Sequence, residues 1–381
     1  MMVSDSDGQF AGCHPGRMSA LEDSVEKAAY AVRMMRLARW VSGRLADDYE
    51  ARVVGRMVLV FAPVYVECAF RILKRPGGLP DSDRRDLRNA VRALRADFDE
   101  FYERVRNDLS AHRDVLDLEL AIEAWNEIDS DTLTWFCTAA EESLADIATR
   151  HTMMAGSPTD FEAMGDEELA KKLEVPPPGD DTLRFSTDAL SLTRGHAGFI
   201  PVHPVQDAAG VLMSVRASLD SCHRINELAR GRISAHLLLK TMFVNDTMNL
   251  VDNLYGPAVG ASEKRSASML GIMEEGDFAG APTLAASLDA LDMDAVRAVR
   301  GIRNRACAHL DPNIPLRELQ DMVLDLGDDV LVERVLNPSW EALETACAVD
   351  PSTRWLLMDQ VSLYGLRPAS TPGVRAFDRD V

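Results

Sequence analysis

The sequence predicts an all-α protein, and three features of its 381 residues support that fold class. Apolar residues make up 46% of the chain and are mainly Ala, Leu, Val and Met, most of which favour helices. Aromatic residues account for only 6%, and the alternating runs of Val, Ile and Thr that strands use are scarce. The length exceeds that of one small domain and suffices for two, each with its own core.

A first helical domain is expected over residues 18–150, after a loose tail at 1–17. Apolar residues recur at three-and-four spacing from Ser19 onward, as on the buried face of a helix. A long apolar helix is predicted at about 50–75, and Pro63 predicts a kink within it. Its most apolar run, MVLVFAPVYVECAF, is 14 residues long, whereas a membrane span needs about 20, so we expect a buried core helix and no membrane partner.

The rest of the chain predicts a linker and a second helical domain. Residues 151–205 are rich in Pro and Gly with little periodicity, which indicates a linker or a large insertion, interrupted by a short helix at about 160–173. Helical periodicity resumes, so a second domain is expected over 206–350. Residues 351–381 are predicted to form a C-terminal tail.

One short motif occurs once in each half of the chain. The first motif, RNDLSAH, occupies 106–112, and the second motif, RNRACAH, occupies 303–309. Over nine positions, RNDLSAHRD and RNRACAHLD share five residues. Upstream, ECAFRILKRPG aligns with DTMNLVDNLYG, so that an acid, Glu67 or Asp246, precedes a glycine by ten residues in each case. We interpret this order of elements as a tandem duplication.

The motif segments VRNDLSAHRD and IRNRACAHLD resemble the signature of the HEPN superfamily, especially its abortive-infection type. The resemblance covers about 50–150 and 210–350. It implies two tandem HEPN-like helical bundles and a metal-independent endoribonuclease of defence or toxin type, or a degenerate relative. In such families two HEPN domains meet face to face, so that two Arg–His pairs form one composite site within a chain or across a homodimer.

The chemistry of metal-free RNA cleavage fits two such pairs. The ribose 2′-OH must lose a proton, the phosphate oxygens must be stabilised, and the leaving 5′-oxygen must gain a proton. Histidine is suited to proton transfer near neutral pH, and the planar, always charged guanidinium of arginine matches phosphate oxygens. On a regular helix, residues six apart point about 120° apart with a rise of about 9 Å, so both can border one cleft.

These considerations assign roles to ten residues. The catalytic set comprises Arg106, His112, Arg303 and His309. The supporting set, expected to orient these groups or hydrogen-bond them from behind, comprises Asn107, Asn304, Glu67 and Asp246. Two arginines that lead into the second motif are expected to contact RNA: Arg297 and Arg300.

Two other interpretations stay open. Each motif can be a helix C-terminus at which Arg and His interact with the helix dipole and Asn is a local cap. The domain pair can also be a non-catalytic RNA-binding or protein-interaction module. The formal net charge of −20 counts against a protein that coats nucleic acid, although it allows a local basic site. Similarly, the stripe of Arg84, Arg88, Arg92 and Arg95 either guides RNA or is a solvated face paired with aspartates.

The sequence predicts no cofactor and no metal. His196 and His203 lack metal-ligand spacing, Cys222–His223 lacks a third group for nucleophilic catalysis, and there is no glycine-rich phosphate loop. The six scattered cysteines and an N-terminus without an apolar core predict a reduced, cytoplasmic protein. The expected partners are an RNA substrate and an antitoxin or activating protein, with pairing of the two domains within one chain or in a homodimer.

Overall fold

A computed structural model of the chain describes residues 20–74, 79–101, 124–125, 127–150, 166–176, 204–260 and 268–349. These residues are almost entirely helical and include no strand, which confirms the all-α prediction for the part of the chain described. The first motif, the two predicted tails at 1–17 and 351–381, and His196 and His203 lie outside the described residues.

The first half is a helical bundle centred on one apolar helix. The helices that the structure describes there are α1 (Ala20–Ser42), α2 (Asp48–Gly55), α3 (Met57–Lys74), α4 (Asp81–Phe101) and α5 (Ser130–Arg150). The central helix is α3, which packs against α1, α4 and α5. The apolar helix expected at 50–75 is therefore divided between α2 and α3, and Pro63 lies inside α3. The absence of a side chain at Gly55, the last residue of α2, allows close packing against α5, because a Cβ there would lie 2.5 Å from Leu133 Cδ1.

The stretch Asp48–Lys74 is the one part of the described chain long and apolar enough to cross a membrane. Its mean hydropathy is 1.7, and 83% of the apolar window is buried inside the fold. Packing against neighbouring helices therefore already covers this apolar surface, as a core helix requires.

The second half is arranged around α8, which is buried from Leu237 to Tyr255. The described helices from residue 166 onward are α6 (Glu167–Leu173), α7 (Pro204–Leu228), α8 (Ile233–Tyr255), α9 (Met269–Glu275), α10 (Ala281–Ala290), α11 (Met293–Ile302), α12 (Leu316–Leu324) and α13 (Asn337–Val349). A 3-10 turn, Gly256–Val259, and two π-helical segments, Arg303–Cys307 and Asp329–Leu336, complete this half. The short α6 falls within the range where a helix was predicted.

Polar contacts connect the two halves. Helix α2 packs against α7, and α1 packs against α8 and α12. The guanidinium of Arg224 on α7 binds the carboxylate of Glu50 on α2, with Nε 2.6 Å from Oε1. Beside this pair, the hydroxyl of Tyr49 donates to the carbonyl of Ser214 at 2.9 Å. The halves are thus in direct contact within one chain.

Candidate functional site

The second motif begins where α11 ends. Asp292 caps the start of α11 by accepting from the backbone N–H groups of Asp294 and Ala295, as N-cap aspartates do. The chain then widens into the π-helical segment Arg303–Cys307, closed by the N–H of Ala308 donating to the carbonyl of Arg303 at 2.8 Å. Such π segments interrupt regular helices and occur frequently at functional sites. The motif therefore departs from the regular helix on which its geometry was predicted.

Arg303 faces the protein interior and is 5% exposed. Its Nη2 donates to Oδ1 of Asn249 on α8 at 3.4 Å, and its Nη1 donates to Oδ1 of Asn304 at 3.3 Å. Both distances are longer than the usual range for N–H···O hydrogen bonds. Two of the hydrogen bonds of this guanidinium are therefore long and are made to neutral amide oxygens.

Three side chains of α8 contact the second motif and its helix in reverse chain order. Thr241 hydrogen-bonds Cys307, Asn249 accepts from Arg303, and the carboxylate of Asp252 binds Arg300. The two segments therefore run antiparallel, and α8 supplies polar side chains to Arg300, Arg303 and Cys307.

Sequence reasoning missed this polar face of α8. Asn245 lies one turn before Asn249 and is 1% exposed, and its amide atoms have no hydrogen-bond partner in the described part of the chain. The available signal was the run NDTMNLVDN, in which polar residues recur at helical spacing inside an otherwise apolar helix. A buried polar face of this kind costs stability, so it favours a functional role for this side of α8.

His309 and Asn304 are exposed, whereas Ala306, Cys307 and Ala308 are buried. Burial raises the pKa of the Cys307 thiol to about 12, so this cysteine is not a nucleophile at neutral pH. The arginine of the motif thus faces inward and the histidine faces solvent. An exposed imidazole is accessible to a ligand in solution, which is what proton transfer to or from a substrate needs.

Lys27 of the first half holds the loop that follows His309. Its buried ammonium donates to the carbonyls of Asp311 at 2.8 Å and Ile314 at 2.7 Å, and to the carboxylate of Asp23 at 2.6 Å. The other oxygen of Asp23 accepts from the backbone N–H of Leu316, the first residue of α12, at 3.2 Å. All three ammonium hydrogens are used, so Lys27 fixes this loop from the opposite half.

Glu67 and Asp246, the two acids that the sequence alignment pairs, lie in different environments. Glu67 is exposed on α3 and pairs with Arg71 at 3.2 Å. Asp246 is fully buried on α8, where it accepts from Arg56 at 2.5 Å and from Ser218 at 2.6 Å. The guanidinium beside Asp246 therefore comes from the first half, where Arg56 is the C-cap residue of α2.

The two arginines before the second motif also differ. Arg297 is exposed, and its guanidinium binds Asp294 at 2.8 Å on the same helix. Arg300 is mostly buried, and it binds the carboxylate of Asp252 and the carbonyl of Val259. Arg297 is therefore the one of the two whose side chain faces solvent.

One cavity among the described residues lies away from the second motif. It has a volume of about 470 Å³ and is lined by residues of α1, α12 and the start of α8. Its polar lining comprises Tyr30, Arg33, Ser234, Arg317, Gln320 and Asp321. No residue of the second motif contributes to it.

Comparison with protein-family models, with curated proteins and with solved structures finds no match for this chain.

Proposed function

We propose that the chain is a HEPN-like, metal-independent endoribonuclease with one composite site that uses Arg106 and His112 together with Arg303 and His309. The observation that carries the proposal is the repetition of the Arg-Asn…His motif in both halves. The described copy supports it, because a helix ends there in a π segment that places Arg303 in a polar environment and is followed by the exposed His309. The same proposal includes a tandem duplication of two HEPN-like bundles.

The reaction assigns one task to each group. One histidine takes the proton of the ribose 2′-OH as that oxygen attacks phosphorus, and the P–O5′ bond breaks. The other histidine gives a proton to O5′, leaving a 2′,3′-cyclic phosphate and a 5′-OH. The arginines stabilise the charge on the phosphate oxygens, for which Arg303 must turn from the amide of Asn249 towards the cleft.

A second function is favoured by the burial of Arg303. At 5% exposure its guanidinium offers little surface to a phosphate, and the net charge of −20 repels RNA from most of the molecule. In that case the domain pair is a non-catalytic RNA-binding or protein-interaction module, and Arg303 holds the motif against α8.

An RNA-cleavage assay in EDTA distinguishes the two functions. His112→Ala, His309→Ala and the double variant are compared with the wild type on labelled cellular RNA. Cleavage should survive chelation and fall by about 10²–10⁴-fold in either single variant. Arg305→Ala is the matched control, because Arg305 is exposed in the same π segment but is not one of the catalytic residues.

The result that favours the interaction module is binding of RNA without cleavage by the wild type. Cleavage retained by both single variants would exclude the composite site altogether. Because His309 is exposed, its substitution should leave the melting temperature unchanged, so lost cleavage would not reflect unfolding.

The biological part of the proposal is a cytoplasmic defence or toxin role, with an antitoxin or activating protein as partner. Its test is growth of cells that express the chain. Growth arrest by the wild type and normal growth with His309→Ala are expected, and equal growth of both would contradict a toxin role.

A further inference from the structure

Helix α4 separates its charges onto different faces. At about 100° per residue, the buried residues Leu87, Val91, Leu94 and Phe98 define one side of the helix. Five arginines lie together on a neighbouring side: Arg84, Arg85, Arg88, Arg92 and Arg95. Three acids lie on the opposite side: Asp83, Asp86 and Asp97. The two acids that share the arginine side stand at its ends, in the first and last turns: Asp81 and Asp99.

Only the ends of this arginine face are paired with acids. Arg84 lies 3.2 Å from Asp81, and Arg95 lies 3.3 Å from Asp99. The three arginines between them, Arg85, Arg88 and Arg92, form no ion pair or hydrogen bond within the described residues. Arg85 and Arg92 are exposed and Arg88 is half-buried, so their charges reach solvent.

This arrangement is unfavourable for the free helix. Like charges three or four residues apart repel one another, which applies to Arg85 with Arg88 and to Arg88 with Arg92. In a chain with 61 acidic and 41 basic residues, acids to neutralise the face are plentiful elsewhere. A cluster of arginines that repel one another and are not neutralised, in an otherwise acidic protein, indicates a polyanionic ligand.

We propose that the arginine face of α4 binds the backbone of single-stranded RNA and guides it to the first motif, an inference that rests on the proposed function. From Arg85 to Arg95 the face is about 15 Å long. The face is not the side of α4 that packs against α3 and α5, since that side carries the buried apolar residues. After Phe101 the chain reaches Arg106 in five residues, so the face leads along the sequence to the first motif.

The test is binding of fluorescent single-stranded oligouridine, followed by anisotropy at several salt concentrations. The variant carries Arg85→Gln, Arg88→Gln and Arg92→Gln. Its control carries Arg39→Gln, Arg230→Gln and Arg317→Gln, which remove the same charge from exposed positions on other elements. These controls separate a local binding face from the effect of net charge.

The variant should bind at least about tenfold more weakly than the wild type at low salt. The slope of log K against log salt should become less negative by about 2. This change corresponds to the loss of three phosphate contacts, each of which contributes about 0.7 to the slope for a single strand. The control triple variant should bind as the wild type does. The variant's melting temperature should be unchanged or higher, because repulsion within α4 is removed.

Equal weakening in both triple variants, or no RNA binding by the wild type, would overturn the inference. Cleavage is measured in parallel so that the two proposals fail separately. If RNA binding depends on the arginine face but the wild type cleaves no RNA, the proposed endoribonuclease activity is contradicted and the proposed binding of RNA by α4 is not. If the variant cleaves and binds RNA as the wild type does, only the proposed binding of RNA by α4 is contradicted.

Discussion

The carboxylate of Asp246 lies 2.5 Å from the guanidinium of Arg56, and neither side chain is more than 1% exposed. The contact joins the end of α2 in the first half to the middle of α8 in the second half. Ser218 donates to the same carboxylate oxygen, and Arg56 lies over the ring of Trp125 at 5.6 Å from its centroid. Burial lowers the pKa of Arg56, but the attraction of Asp246 outweighs it and leaves the pKa raised.

Asp246→Asn should strongly destabilise the whole chain. The substitution keeps the shape of the side chain but leaves the charge of Arg56 buried without its carboxylate, which costs about 3–5 kcal/mol of unfolding free energy. Urea denaturation followed by circular dichroism measures the change. Asp294→Asn, which removes an exposed partner of Arg297, is the control and should cause no measurable change. Equal effects of the two variants would show that the buried pair does not hold the halves together.

Lys27→Met should loosen the loop that carries His309 without unfolding the second half. The variant loses the hydrogen bonds to the carbonyls of Asp311 and Ile314 while keeping a similar apolar volume. Hydrogen exchange followed by mass spectrometry should show faster exchange at the backbone N–H groups of residues 308–316.

Lys240→Met is the matched control for Lys27→Met. Lys240 is equally buried and also donates to a backbone carbonyl, that of Leu324 at 3.0 Å, at the far end of α12. Its loss should increase exchange near residue 324 and leave 308–316 protected. If both variants change the same peptides to the same extent, Lys27 has only a general structural role.

The helices were largely predictable from the sequence, and the orientation of the motif residues was not. Apolar spacing and breakers predicted the core helix that became α3 and the short helix α6, because both depend on local patterns. The same patterns placed the second motif at a helix end. They did not show that Arg303 faces the core, because spacing gives the angle between two side chains and not which of them faces a neighbouring helix.

The long-range contacts of the site were also beyond the sequence. Asp246 was matched with Glu67 by alignment, but Asp246 is buried against Arg56 and Ser218, which come from other parts of the chain, whereas Glu67 is exposed and pairs with Arg71 on its own helix. The partner of Asp246, Arg56, is 190 residues away, and no local pattern indicates the pairing. Likewise, the sequence alone did not show which arginines of α4 are paired with aspartates.

His236 should make the protein less stable as the pH falls from about 6.5 to about 4. Burial first, and then the charge of Lys240, lower the pKa of His236 from 6.5 to about 4, with its Nδ1 2.9 Å from Oδ1 of Asn226. The unfolded chain therefore binds this proton at a higher pH than the folded chain, so protonation favours unfolding throughout that window. Above pH 6.5 the imidazole is neutral in both states and contributes no pH dependence.

Urea denaturation at intervals between pH 7 and pH 4 checks this expectation. The wild type should lose more unfolding free energy over the window than His236→Gln, which cannot take up the proton. An NMR titration of His236 should give a pKa well below 6.5, the ordinary value for histidine. Parallel stability curves for the two proteins would show that His236 does not titrate in this range.

Mixing two inactive single variants should restore no cleavage. If the composite site forms within one chain, every molecule of His112→Ala or His309→Ala carries one broken pair, so an equimolar mixture stays inactive. We expect this result because the halves of a single chain are already joined by Arg56 and Asp246 and by Lys27.

A homodimer that pairs the first motif of one chain with the second motif of the other gives a different result. Half of its dimers would be mixed, each with one intact site, and cleavage would recover to about a quarter of the wild-type rate. The measurement is the initial cleavage rate after co-refolding the two variants, with a mixture of wild type and double variant as the reference for exchange between chains.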